Sequence, residues 1–169
     1  MNKKILLTSF QTWLPDQVSN SSDDLLEKIA QITDFSASLT FLRQLPVDIA
    51  EASAQVIAKI DQIQPDGIIC CGMATKREKL TVESCATGED SCLETPVNLE
   101  KLVAALSECE ISHDAGKFVC EGLYYEVLKY LEEHHLNTSC IFVHVPVLNL
   151  DNFPGILADF RIILEQMAQ

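Results

Sequence analysis

Short apolar runs alternate with longer stretches in which apolar residues recur every three or four positions. Lys3–Ser9, Ser38–Leu42, Ile68–Cys71, Lys79–Cys85 and Ser139–Val145 are brief, mostly apolar and rich in β-formers, and they predict strands. Between them, Ile49, Ala52, Val56 and Ile60 lie on one stripe of a helix expected from about Asp48 to Ile63. Leu99, Leu102, Val103 and Leu106 predict a helix over Asn98 to Cys109, and the run from Gly122 to Leu131 predicts another. Two more are expected, one from Ser21 or Ser22 (either could cap it) to about Ile32, and one from about Ile156 to Met167. Asp23 and Asp24 suit the positive end of the former. Pro65-Asp66-Gly67 is a turn, and Gly88 to Pro96 reads as polar loop. Strand–helix alternation of this kind predicts an α/β fold of three layers, a twisted and largely parallel sheet with helices on both faces. No repeat, low-complexity tract or linker interrupts it, so residues 1–169 are expected to form one domain.

Composition narrows the function classes. The 47% hydrophobic content over 169 residues is enough for a sizeable core. No apolar run approaches the roughly 20 residues of a membrane span, and no signal peptide is visible. A net charge of −13 repels phosphate, which argues against nucleic acids and anionic membranes as partners. Seven cysteines, odd in number and without disulfide-like spacing, suggest a reducing, cytoplasmic setting. Cys70 and Cys71 are adjacent on a strand and point to opposite faces, so a shared metal is not expected, and no cofactor is implied.

The chemistry concentrates at Asp114-Ala115-Gly116-Lys117-Phe118-Val119-Cys120-Glu121, just before a helix. The first turn of a helix has unpaired N–H groups and a positive dipole end, which favour thiolate over thiol. The same N–H groups can hold an oxyanion. Cys120 is therefore a candidate nucleophile, although a free cysteine is also a common small core residue. His144, near the C-terminal end of an apolar strand, stands where α/β sheets carry ligand sites and can serve as the base. Glu83 is the best-placed acid to orient the imidazole. His134-His135 read as a solvated helix end, and Lys76-Arg77-Glu78-Lys79 as a charged surface loop.

Gly116-x-Phe118-Val119-Cys120, Phe142-x-His144-Val145-Pro146 and Thr81-x-Glu83 resemble the pyroglutamyl peptidase I family, the pyrrolidone carboxyl peptidases. Leu6 to Trp13 is similar to that family's opening strand and aromatic loop. Gln44-Leu45-Pro46-Val47 and Gln64 to Gly72 match its next landmarks. The resemblance covers nearly the whole chain and describes a shortened, divergent member with a phosphorylase/hydrolase-like fold. It implies a Cys120–His144–Glu83 triad that removes an N-terminal 5-oxoprolyl residue from a peptide through an acyl-enzyme. It further implies a lactam pocket walled by Phe10, Trp13 and Phe142, with Met73 and Gly116 beside it. Met73 stands where the family usually has a glutamine, Leu93 where it has an arginine, and Glu121 where it has an asparagine. These changes leave two alternatives, a cysteine amidase acting on a different acyl group and a catalytically silent binding member. The expected partner is an N-terminally blocked peptide or small amide, and association into a homo-oligomer is compatible with the family.

Overall fold

A helix between successive strands carries the chain back to the starting end of the sheet, so the first strands of the sheet run parallel. The computed structural model describes residues 1–169. In chain order the elements are β1 (Lys4–Phe10), α1 (Ser21–Ala30), β2 (Ser38–Leu45), α2 (Ile49–Ile63), β3 (Gly67–Met73), β4 (Leu80–Glu83), β5 (Cys85–Thr87) and β6 (Cys92–Glu94). They continue with α3 (Leu99–Val103), β7 (Cys109–Ser112), α4 (Val119–Glu133), β8 (Ser139–Val145) and α5 (Phe153–Met167). The six-stranded sheet has the order β2-β1-β3-β8-β4-β7. Strands β2, β1, β3 and β8 run parallel, β4 is antiparallel to β8, and β7 is parallel to β4. The sheet is thus mixed but mostly parallel.

Alternation along each strand divides the core in two. Ile5, Leu7, Ile69, Cys71, Ile141, Val143 and Val145 face α1, α3 and α5. Leu6, Phe10, Ile68, Cys70, Cys140 and Phe142 face α2 and α4. Cys70 and Cys71 accordingly lie on opposite faces. Helix α4 buries Leu123, Tyr124, Val127, Leu128 and Leu131, an i, i+1, i+4, i+5, i+8 stripe against the sheet. The longest helices have 15 residues. No helix is long and apolar enough to cross a membrane.

Four expectations need correction. The cap of α1 is Asn20 rather than Ser21 or Ser22, its side chain accepting from Ser22 N–H at 3.0 Å. The helix expected to reach Cys109 stops at Val103, because Cys109–Ser112 is drawn out as the edge strand β7 beside β4. The Lys79–Cys85 strand breaks at Ser84, whose N–H bonds to Ser112 O at 2.8 Å. The polar Gly88–Pro96 stretch contains β6, which pairs with β5 in a hairpin against α4. In these last cases the partner strand, remote in sequence, decides the local conformation.

Candidate active site

Register brings Glu83 to His144. Strands β4 and β8 pair antiparallel with Thr81 opposite His144 and Val82 opposite Val143. Val82 and Val143 point to the α5 side, so Thr81, Glu83 and His144 share the α4 side. There His144 Nδ1 and Glu83 Oε1 are 2.7 Å apart, with both side chains buried. With Nδ1 engaged, Nε2 is the ring nitrogen left to exchange a proton with a third group.

Arg77 completes the support of Glu83. Its Nη1 pairs with the same Oε1 and also donates to Thr81 Oγ1 at 2.5 Å, and its Nη2 donates to Asp114 O at 2.7 Å. One guanidinium therefore ties the carboxylate of β4 to the loop that leads into α4. From the other side, Tyr124 Oη donates to Glu83 O at 2.9 Å. Burial raises the Glu83 carboxyl. Hydrogen bonds from His144 and Ser112, the charge of His144 and the Arg77 contact outweigh it, leaving the group below its ordinary value. Glu83 is thus held as a carboxylate.

Cys120 is the second residue of α4, whose capping position, Phe118, has no side chain able to bond the free N–H groups of the first turn. The thiol is accommodated because residue 72 is glycine. A Cβ there would lie 2.5 Å from Cys120 Sγ and 3.1 Å from Phe142 Cζ. Cys120 and His144 line one cavity of about 730 Å³, together with Trp13, Met73, Arg77, Gly116 and Phe118. Burial pushes the Cys120 thiol up to about 12, with the Glu83 charge adding to it and Arg77 opposing. Burial thus acts against the helix start, which by itself favours thiolate. Ionisation of Cys120 depends on a base. Glu121 does not add to the problem, because its Oε1 turns outward to accept from Thr87 N–H at 2.9 Å.

The sequence-derived pocket is redrawn in part. Trp13, Met73 and Gly116 border the cavity, Gly116 at φ +92° with its N–H on Asp114 Oδ1 at 2.9 Å. Met73 Sδ accepts from Ser21 N–H at 3.4 Å. Phe10 and Phe142 do not border it. Both are at most 2% exposed, in the core between sheet and α4, where Phe142 packs on Tyr124 and His144. Their alternating positions on β1 and β8 place them under the site rather than around it. The second aromatic wall is instead Phe118, 73% exposed, with its ring centroid 6.0 Å from that of Trp13. Arg77 and Phe118 were both missed as site residues. For Arg77 the surrounding charge run gave the wrong impression of a solvated loop, and for Phe118 the signal was its position two residues before the candidate nucleophile. His113 lies outside, bonded through Nδ1 to Ser84 Oγ at 2.7 Å.

Comparison with known proteins points to one group of peptidases. The family model described as pyroglutamyl peptidase matches residues 95–152, a stretch holding Cys120 and His144. The pyrrolidone-carboxylate peptidase of Vibrio parahaemolyticus is 27% identical over 172 residues, covering 86% of this chain and 79% of its own. That of Bacillus amyloliquefaciens is 26% identical, covering 88% and 80%. Over most of its length the chain is similar to these pyrrolidone-carboxylate peptidases.

Solved structures of those enzymes carry the same fold. The crystal structure of Bacillus amyloliquefaciens pyroglutamyl peptidase I superposes with a TM-score of 0.86 at 21% identity, covering 98% of this chain and 97% of that one. The pyrrolidone carboxyl peptidase from Thermococcus litoralis gives 0.84 at 18%, covering 98% and 93%. The mixed sheet and its flanking helices therefore have the fold of those structures.

Proposed function

We propose that this protein is a cysteine exopeptidase that removes an N-terminal 5-oxoprolyl residue from peptides, with Cys120 as nucleophile, His144 as general base and acid, and Glu83 as the group that orients His144. The observation that carries the reading is the buried Glu83–His144 hydrogen bond opening on the cavity that also holds Cys120. His144 Nε2 takes the thiol proton, and Cys120 attacks the amide carbonyl. The carbonyl oxygen gains its charge beside the N–H groups of the first turn of α4, which no side chain caps. His144 returns the proton to the leaving amine, and water then releases the acyl group from the thioester. Glu83 keeps Nδ1 protonated and stabilises the imidazolium, while Arg77 keeps Glu83 ionised.

Hydrolysis of a fluorogenic 5-oxoprolyl amide by reduced protein, with Cys120→Ala in parallel, tests this. Activity abolished by the substitution supports the peptidase. Inactivity of the wild-type protein toward every 5-oxoprolyl amide refutes it.

One observation favours a second reading, a cysteine amidase with a different acyl group. The cavity wall is Trp13, Met73 and Phe118, and Phe10 and Phe142 are sealed beneath it. Turnover of another acyl amide at a higher kcat/KM than the 5-oxoprolyl amide would select that reading.

A further inference from the structure

The cavity wall carries a charge opposite to that of the rest of the chain. It holds three of the 12 cationic residues, Lys76, Arg77 and Lys117, but one of the 25 carboxylates, Asp48. Asp48 is already engaged as the cap of α2, accepting from Glu51 N–H at 2.9 Å. Nearby Asp114 is likewise held by Gly116 N–H. Arg77 is consumed by Glu83, Thr81 and the Asp114 carbonyl. Lys76 and Lys117 are left, exposed and without an ion-pair partner in the protein. They reach the cavity from different segments, one after β3 and one before α4, so the tertiary structure brings them to the same opening.

Resting on the function proposed above, we infer that Lys76 and Lys117 select peptides with a carboxylate on the leaving side of the scissile bond. A 5-oxoprolyl ring is uncharged and offers these cations nothing. The anionic groups of such a substrate all belong to the departing peptide, as acidic side chains or as the C-terminal carboxylate of a short one. In a chain of net charge −13, an acidic peptide is repelled by most of the surface and attracted at this opening. The cations therefore act as a local selector, and their effect is screened by salt.

The test measures binding to the Cys120→Ser protein, which needs no turnover, with 5-oxoprolyl-Glu-amide, 5-oxoprolyl-Lys-amide, 5-oxoprolyl-Ala-amide and 5-oxoprolyl-Ala. At low salt the Glu-amide is expected to bind roughly five- to tenfold more tightly than the Lys-amide, the size of one or two exposed ion pairs. High salt should remove the difference, Lys76→Gln with Lys117→Gln should abolish it, and arginine at both positions should retain it. A matching gain for 5-oxoprolyl-Ala over its amide would show that a C-terminal carboxylate is accepted as well, and no gain would confine recognition to the side chain. Equal binding of the Glu- and Lys-amides, a preference that survives the double glutamine variant, or no binding of any peptide overturns the inference. Wild-type turnover is followed separately. Selective binding without turnover of any 5-oxoprolyl peptide would remove the peptidase reading and leave the anion selectivity standing.

Discussion

Glu83 and His144 occupy neighbouring antiparallel strands, and their side chains meet at 2.7 Å on the face covered by α4. The contact requires β4 to run against β8, since that register sets Thr81 opposite His144 and Glu83 one step along on the same face. Replacing the carboxylate removes the acceptor that fixes the imidazole and strands Arg77. For Glu83→Gln we expect kcat to fall by about 10²–10⁴. Stability should fall by roughly 3 kcal/mol, the lower end for a broken buried pair because Arg77 is partly exposed. Steady-state kinetics and urea unfolding check the two effects; unchanged kcat would remove Glu83 from the mechanism.

Gly72→Ala should separate nucleophile position from fold. The added methyl would meet Cys120 Sγ at 2.5 Å and the Phe142 ring at 3.1 Å. Displacing the sulfur is expected to cost on the order of 10²-fold in kcat/KM. The overpacking should cost about 1–3 kcal/mol of stability. A variant with wild-type kinetics would show that Cys120 need not sit against residue 72.

The pH dependence of alkylation reports the state of the thiol. Burial pushes Cys120 up to about 12, so the neutral form predominates at pH 7 in the free protein. Its rate with iodoacetamide, taken as the difference from Cys120→Ser, should rise about tenfold per pH unit between 7 and 9 without a plateau. A plateau near neutrality would instead reveal a standing Cys120–His144 ion pair.

Acid should destabilise the fold through two carboxylates. Glu83 and Asp23 are both held below their ordinary values of 4.5 and 3.8. For Asp23, burial acts upward, but Arg43 through two bonds, Gln44 and Ser9 prevail. A lowered native value means that the unfolded chain binds protons more readily, so this stability is present above those values and is lost as pH falls through and below them. Asp23→Asn should flatten the decline of unfolding free energy below about pH 3.8. An unaltered slope in urea titrations would show that the Asp23 cluster contributes little.

Phe118 and Phe142 should behave in opposite ways. Phe118 is largely exposed at the cavity and Phe142 fully buried beneath it. Phe118→Ala is expected to raise KM and change stability by less than about 0.5 kcal/mol. Phe142→Ala should cost about 3–5 kcal/mol. Thermal melts combined with substrate titrations distinguish these outcomes.

Cys120, His144 and Glu83, the proposed triad, stand out from local context, a glycine-containing loop before a helix, a strand end, and a carboxylate among strand residues. The strands β1, β3 and β8 were legible too, because a buried parallel strand is written as a continuous apolar run. The edge strand β7 and the β5–β6 hairpin were not. Their residues are partly solvated and polar, and only pairing with remote segments makes them strands.

By itself, then, the amino-acid order determined the alternation of elements, the layered α/β class and the choice of the three side chains proposed as the triad, since these depend on periodicity and on nearest neighbours along the chain. The tertiary structure alone decided which aromatic rings wall the cavity and which lie under it. It also turned Arg77 from a surface charge into the clamp on Glu83, and it set Lys76 and Lys117 at one opening. Those outcomes depend on register between strands and on which face of the sheet each helix covers. Both are settled by contacts between residues far apart in the chain, and periodicity along the chain is blind to them.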